Sequence, residues 1–212
     1  MVETVEVIMT DELNGATAVV WRRLPYLLSP QMDIYERIGF IPMVEPTILE
    51  IGFGTGFGVL QYFEDTQWID AIEIDPAAVR FAKKCFPLPR VRWLEGDILH
   101  PPKELGHYDL LVMIEVLEHI SDTDLALKNI SGLAKRALIT VPNSLRYRAK
   151  REVLNEHEWT PQSFYDLLME HFSWVALLNY EFEDVINFPG SKQYQGFESR
   201  ETPIIALCSS SL

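Results

Sequence analysis

The chain has 212 residues, 48% of them hydrophobic and 23% charged, which excludes a disordered polymer and suits one folded α/β domain. Its 18 Lys and Arg stand against 31 Asp and Glu, a formal net charge of −13. That surplus repels phosphate backbones at long range and counts against a general nucleic-acid binder.

No apolar run reaches the length of a membrane span, and the first residues, MVETVEVIMT, lack the basic flank and long apolar stretch of a signal peptide. The expected location is cytoplasmic, away from membranes. Cys85 and Cys208 have no metal-site or redox spacing and are read as reduced, buried thiols.

In chain order, Gln31–Phe40 predicts a helix over the edge of a sheet, within an N-terminal segment, residues 1–46, packed on the main domain, residues 47–212. Together they make one domain. Apolar strand-length runs follow at Thr47–Ile51, Trp68–Ile74, Val91–Leu94, Tyr108–Ile114 and Ala137–Val141. They are nearly continuous rather than alternating, as parallel strands buried on both faces should be. Helical patterns fall between and after them at Phe57–Tyr62, Pro76–Lys84, Asp122–Leu133 and Pro161–Phe172, the last opened by Thr160 as N-cap and Pro161 at the first helical position. Trp174–Tyr180 and Pro203–Cys208 close the chain as a hairpin. Strand alternating with helix predicts a doubly wound, mostly parallel α/β sheet of seven strands with antiparallel pairing at its C-terminal end.

The stretch ILEIGFGTGFG, Ile48 to Gly58, is then the first strand-to-helix turn, at the carboxyl end where such sheets bind ligands. A dinucleotide fingerprint needs a third glycine where Phe57 or Val59 stands, and a P-loop needs a lysine that is missing. What remains is Glu50 followed by Gly52, Gly54 and Gly56. A carboxylate there repels a pyrophosphate and suits a ligand carrying positive charge.

The motif EIGFGTG resembles the first motif of class I S-adenosylmethionine-dependent methyltransferases, and later landmarks follow in order. AIEIDPAAV, Ala71–Val79, is similar to the end of that family's second strand, EGDI, Glu95–Ile98, to the loop after the third, YDLLVMIEVLEHI to the fourth strand and its turn, and LITVPN to the fifth. The resemblance covers roughly residues 47–172 and implies a Rossmann-like fold. It implies that Glu73 accepts both ribose hydroxyls and Asp97 the adenine amino group of S-adenosylmethionine. Glu50, Gly52, Gly54, Gly56, Ile74, Ile98 and Glu115 complete the expected cofactor site. The residues make chemical sense by themselves: a diol needs a bidentate acceptor, and four carboxylates at successive strand ends match a cationic sulfonium.

EVLEHI places Glu115, Glu118 and His119 on one face if that turn is helical, and His157 lies ahead in NEHEWTP. A similar E-x-x-E-H element with a later histidine marks enzymes that methylate the 2′-hydroxyl at the 3′ end of small RNAs, through a metal. There the histidine stands further upstream of E-W-T, whereas here His157 directly precedes Glu158. The same E-V-L-E-H element is widespread in metal-free methyltransferases of small molecules. The reading is therefore a small-molecule methyltransferase without a metal site, with His119 and His157 as catalytic candidates. The competing readings are the RNA enzyme, in which Arg146, Arg148, Lys150 and Arg151 would face the substrate, and a non-catalytic cofactor-binding member. Trp159 and Phe164 are expected in the core, Tyr147 is left open, and His100, His107 and His171 are read as surface or packing residues. No oligomeric state follows from these residues.

Overall fold

Apolar runs that are continuous in sequence have to be covered on both faces, and the architecture does this. The computed structural model describes residues 34–35, 38, 41, 43–144, 156–178, 185–186 and 203–210. Its strands are β1 (Thr47–Ile51), β2 (Trp68–Glu73), β3 (Val91–Glu95), β4 (Tyr108–Ile114), β5 (Ala134–Val141), β6 (Trp174–Leu178), β7 (Val185–Ile186) and β8 (Ile204–Ser209). They form one sheet in the order β3-β2-β1-β4-β5-β8-β6-β7. The first five pair in parallel, and β8 inserts antiparallel between β5 and β6. The seven expected strands are present, and the two-residue β7 adds an eighth at the edge.

Alternate residues of the central strands feed two separate cores. Leu49, Ile51, Leu111 and Met113 join Leu127, Phe164 and Leu168 on one face. Ile48, Leu110 and Val112 join Ile34, Tyr35, Ile38, Val79 and Ala82 on the other. Of the expected N-terminal helix, Ile34, Tyr35 and Ile38 are described, and they are helical and buried. Trp159 and Phe164 are buried, as expected.

Three helices begin where their backbone donors find a side chain. Asp75 accepts from Ala77 N–H at 2.8 Å ahead of α1 (Pro76–Cys85), and Asp122 from Leu125 N–H at 3.0 Å ahead of α2 (Thr123–Ile130). Thr160 accepts from Ser163 N–H at 3.2 Å, and Ser163 Oγ returns a bond from Thr160 N–H at 3.0 Å, a reciprocal cap for α3 (Pro161–Met169). Among the described residues, no helix is long and apolar enough to cross a membrane.

Two expectations are corrected. The helix expected at Phe57–Tyr62 is replaced by two 3-10 turns, Val59–Gln61 and Phe63–Asp65. Tyr62 interrupts them at φ −133°, ψ 0°, with its buried ring turned inward to reach Glu50. Cys85 is exposed rather than buried, because it ends α1 just after Lys83 and Lys84 on the outward side; Cys208 is buried, and burial pushes its thiol well up. Tyr147 and the basic residues Arg146, Arg148, Lys150 and Arg151 lie outside the described residues.

One polar cluster ties three strands together. The buried Asp70 of β2 accepts from Arg92 Nε at 2.8 Å and Nη2 at 2.7 Å on β3, from the Tyr108 hydroxyl at 2.5 Å on β4, and from Trp68 Nε1 at 2.9 Å. Burial alone would raise the Asp70 carboxyl, but the Arg92, Tyr108 and Trp68 donors outweigh it and hold it below its ordinary 3.8. A carboxyl lowered in the folded state stabilises fully above 3.8 and loses that contribution as pH falls through the folded value. Asp70→Ala should therefore lower stability at neutral pH by about 2–4 kcal/mol in chemical denaturation, and lower it less in strong acid.

Candidate functional site

Beyond Ile51 the chain must leave β1 and turn back, and Gly52, Gly54 and Gly56 do this at φ 73°, 55° and 85°. A Cβ on Gly52 would strike Val116 Cγ2 at 2.3 Å, so packing alone demands glycine there. At Gly54, among the described residues, nothing lies within 4 Å of that position, so its Cα faces open space.

Glu73 closes β2 beside this turn. Its Oε2 accepts from Gly54 N–H at 2.9 Å and its Oε1 from Asp75 N–H at 3.0 Å, while Gly52 N–H bonds Ile72 carbonyl at 2.8 Å. The carboxylate is held from two sides and half-buried. Ile74 follows with 66% of its surface exposed, an apolar side chain left in the open next to an oriented carboxylate. Asp75 is spent on capping α1.

Asp97 follows β3 and bonds Leu99 N–H through Oδ1 at 2.9 Å; Ile98 buries its side chain in the core and lends its carbonyl to Asn129 Nδ2. The Ile98 side chain is therefore not presented at the strand ends. Glu115 follows β4 at φ 55°, a conformation that costs a non-glycine residue roughly 1–2 kcal/mol. The buried Thr140 of β5 fixes it: Glu115 N–H bonds Thr140 Oγ1 at 3.2 Å, and the Thr140 hydroxyl donates to Glu115 Oε1 at 3.0 Å. Thr140, Tyr35 and Tyr62 escaped the sequence reading, since each acts through a partner distant in the chain. Because β1 lies between β2 and β4, the sheet order reverses here, and the crevice at such a reversal is where doubly wound sheets take ligands.

Glu50 departs from expectation. It shares the face of Ile48 and is only 1% exposed; the Tyr35 hydroxyl donates to Oε1 at 2.9 Å and the Tyr62 hydroxyl to Oε2. Both oxygens are engaged by phenols, so Glu50 does not present a free carboxylate to a ligand. It lies beneath the glycine turn as a sealed carboxyl. Burial pushes its carboxyl up from 4.5 to about 8 against the opposing pull of Tyr35, and the nearby Glu73 adds to the rise.

EVLEHI is also corrected. Only Leu117–His119 forms a 3-10 turn, so Glu115, Glu118 and His119 do not share a helix face. Glu118 is buried, His119 has 43% of its side chain exposed, and His157 stacks on Trp159 with Nε2 3.3 Å from Ser121 carbonyl oxygen. Among the described residues, the group of His, Cys, Asp and Glu close enough to share an ion is Asp124, Glu170 and His171, not this element.

A buried acid with a raised folded value costs stability as pH rises from its unfolded to its folded value, here from about 4.5 to about 8. Each step of one in pKa is about 1.4 kcal/mol. Glu50→Gln keeps an acceptor for the tyrosines and removes the titration. Its stability, measured by denaturation from pH 5 to 9, should change less with pH than that of the parent and exceed it at pH 9 by more than about 1 kcal/mol.

A family profile described as a methyltransferase domain matches residues 20–181. An uncharacterised methyltransferase of Mycobacterium bovis is 29% identical over 93 residues, 44% of this chain and 47% of that protein, and one of Mycobacterium tuberculosis matches equally. The chain spans about half the length of the curated relatives it matches. Among solved structures, the methyltransferase in a complex with the Trm112 activator of Haloferax volcanii has a TM-score of 0.69 at 12% identity, covering 93% of this chain and 97% of that one. A TehB-like S-adenosylmethionine-dependent methyltransferase of Corynebacterium glutamicum has 0.63 at 18%, covering 92% and 97%. The methyltransferase domain of bacterial CtHen1-CN has 0.63 at 16%, covering 84% and 98%. At these identities the structural likeness is one of fold. The profile supplies what fold alone does not: the chain belongs to the class I S-adenosylmethionine-dependent methyltransferase family.

Proposed function

We propose that this protein binds S-adenosylmethionine at the carboxyl ends of β1–β4 and transfers its methyl group to a small-molecule acceptor. The observation that carries the reading is the Glu73 carboxylate, clamped by Gly54 and Asp75 N–H beside an unobstructed glycine. Each carboxylate oxygen has two acceptor positions, and one N–H on each leaves the other for a ribose hydroxyl. The exposed Ile74 gives an adenine ring an apolar surface, and Asp97 an acceptor for its amino group. Glu73 closes β2, and Asp97 and Glu115 follow β3 and β4, so the carboxylates at these strand ends suit a cation.

The cofactor brings an electrophilic methyl group on a cationic sulfur. The chain's share is to hold that ligand and align an acceptor, which supplies much of the acceleration without a protein base. His119, at the turn after β4 with 43% of its side chain exposed, and His157 are the candidates to take a proton where the acceptor needs one. The net charge of −13 favours a small acceptor over a polyanion.

Glu73→Ala should weaken S-adenosylhomocysteine binding at least tenfold in calorimetric titration, since hydrogen bonds to a charged group are worth about 1.5–3 kcal/mol each. Asp75→Ala should bind nearly normally yet lose about 1 kcal/mol of stability with its cap. The reverse pattern would overturn the ribose assignment. Labelled methyl transfer to RNA that depends on a divalent metal, with none to small molecules, would overturn the acceptor.

A further inference from the structure

We propose that Asp124, Glu170 and His171 form a zinc site that clamps the first turn of α2 to the end of α3. Asp124 is the second residue of α2, and Glu170 and His171 directly follow Met169, the last residue of α3. Packing of the two helices on one face of the sheet brings one ligand atom from each of the three within 4.8 Å of the others. None of them belongs to the glycine turn or the strand ends.

The histidine separates this group from an ordinary solvated cluster. Its side chain is 10% exposed, whereas that of Asp124 is 73% exposed. His171 Nε2 is buried 3.2 Å from Asp124 Oδ1 and makes no hydrogen bond, so the carboxylate lies off the direction in which the ring nitrogen bonds. Buried polar atoms are seldom left unbonded. Two ligands each about 2.0–2.2 Å from one zinc ion at a tetrahedral angle stand about 3.3 Å apart, close to the spacing found. An ion between them would satisfy the nitrogen and both carboxylates together. One imidazole with two carboxylates favours zinc over magnesium or calcium, which prefer oxygen alone, and leaves a fourth position for water. The exposed acids admit the ion from solvent.

The full chain, stripped with chelator, would be titrated with zinc chloride by calorimetry and melted with and without the metal. Expected are one zinc per chain and a raised melting temperature, with magnesium and calcium at equal concentration giving no rise. D124N/E170Q alters only exposed side chains, so it should melt like the metal-free parent and bind zinc at least tenfold more weakly. Absence of zinc uptake, which would leave His171 and Asp124 as a plain ion pair, overturns the proposal. Undiminished uptake by the variant also overturns it, by locating the metal elsewhere, for instance at the exposed Cys85.

Discussion

The site depends on one hydrogen bond, from Gly54 N–H to Glu73 Oε2 at 2.9 Å. It joins the turn after β1 to the end of β2, and both of its ends require particular residues. Gly54 sits at φ 55°, which favours glycine; Glu73 needs a carboxylate long enough to cross from the neighbouring strand. Parallel pairing of β1 with β2, Glu50 opposite Ala71 and Ile51 opposite Ile72, sets the register that makes the bond possible. The fold positions the site through that register, and the register rests on the two apolar cores that grip the sheet.

Electrostatics divides the acids at the strand ends by environment. Glu73 and Asp97 are partly exposed and held by backbone N–H groups, so they can meet a ligand. Glu50 is sealed under the turn by Tyr35 and Tyr62, and its carboxyl is pushed up to about 8. A cation bound above would favour the ionised form of Glu50. Tyr35 also links the described N-terminal helical residues to this buried carboxyl.

Much of this was legible in the sequence because it rests on local rules. Continuous apolar runs such as Tyr108–Ile114 announced strands buried on both faces, and Asp75–Pro76 and Thr160–Pro161 marked helix starts. The C-terminal strands were legible as β, although β8's place between β5 and β6 comes from tertiary pairing. What escaped depends on partners far apart in the chain. Glu50 reads as a ligand residue until Tyr35, fifteen positions earlier, takes one of its oxygens. EVLEHI has helical spacing, but Thr140 on β5 holds Glu115 at a positive φ that no helix contains. The Asp124–Glu170–His171 group needs two helices packed together before it exists.

The central claim is that the Glu73 carboxylate and the open face of Gly54 are where the cofactor sits. A crystal structure of the chain with S-adenosylhomocysteine tests it most directly. The account predicts both ribose hydroxyls within hydrogen-bond distance of the Glu73 carboxylate, the adenine against Ile74, and the ligand passing over Gly54. A ligand bound elsewhere, or a ribose that leaves Glu73 facing solvent, would contradict it.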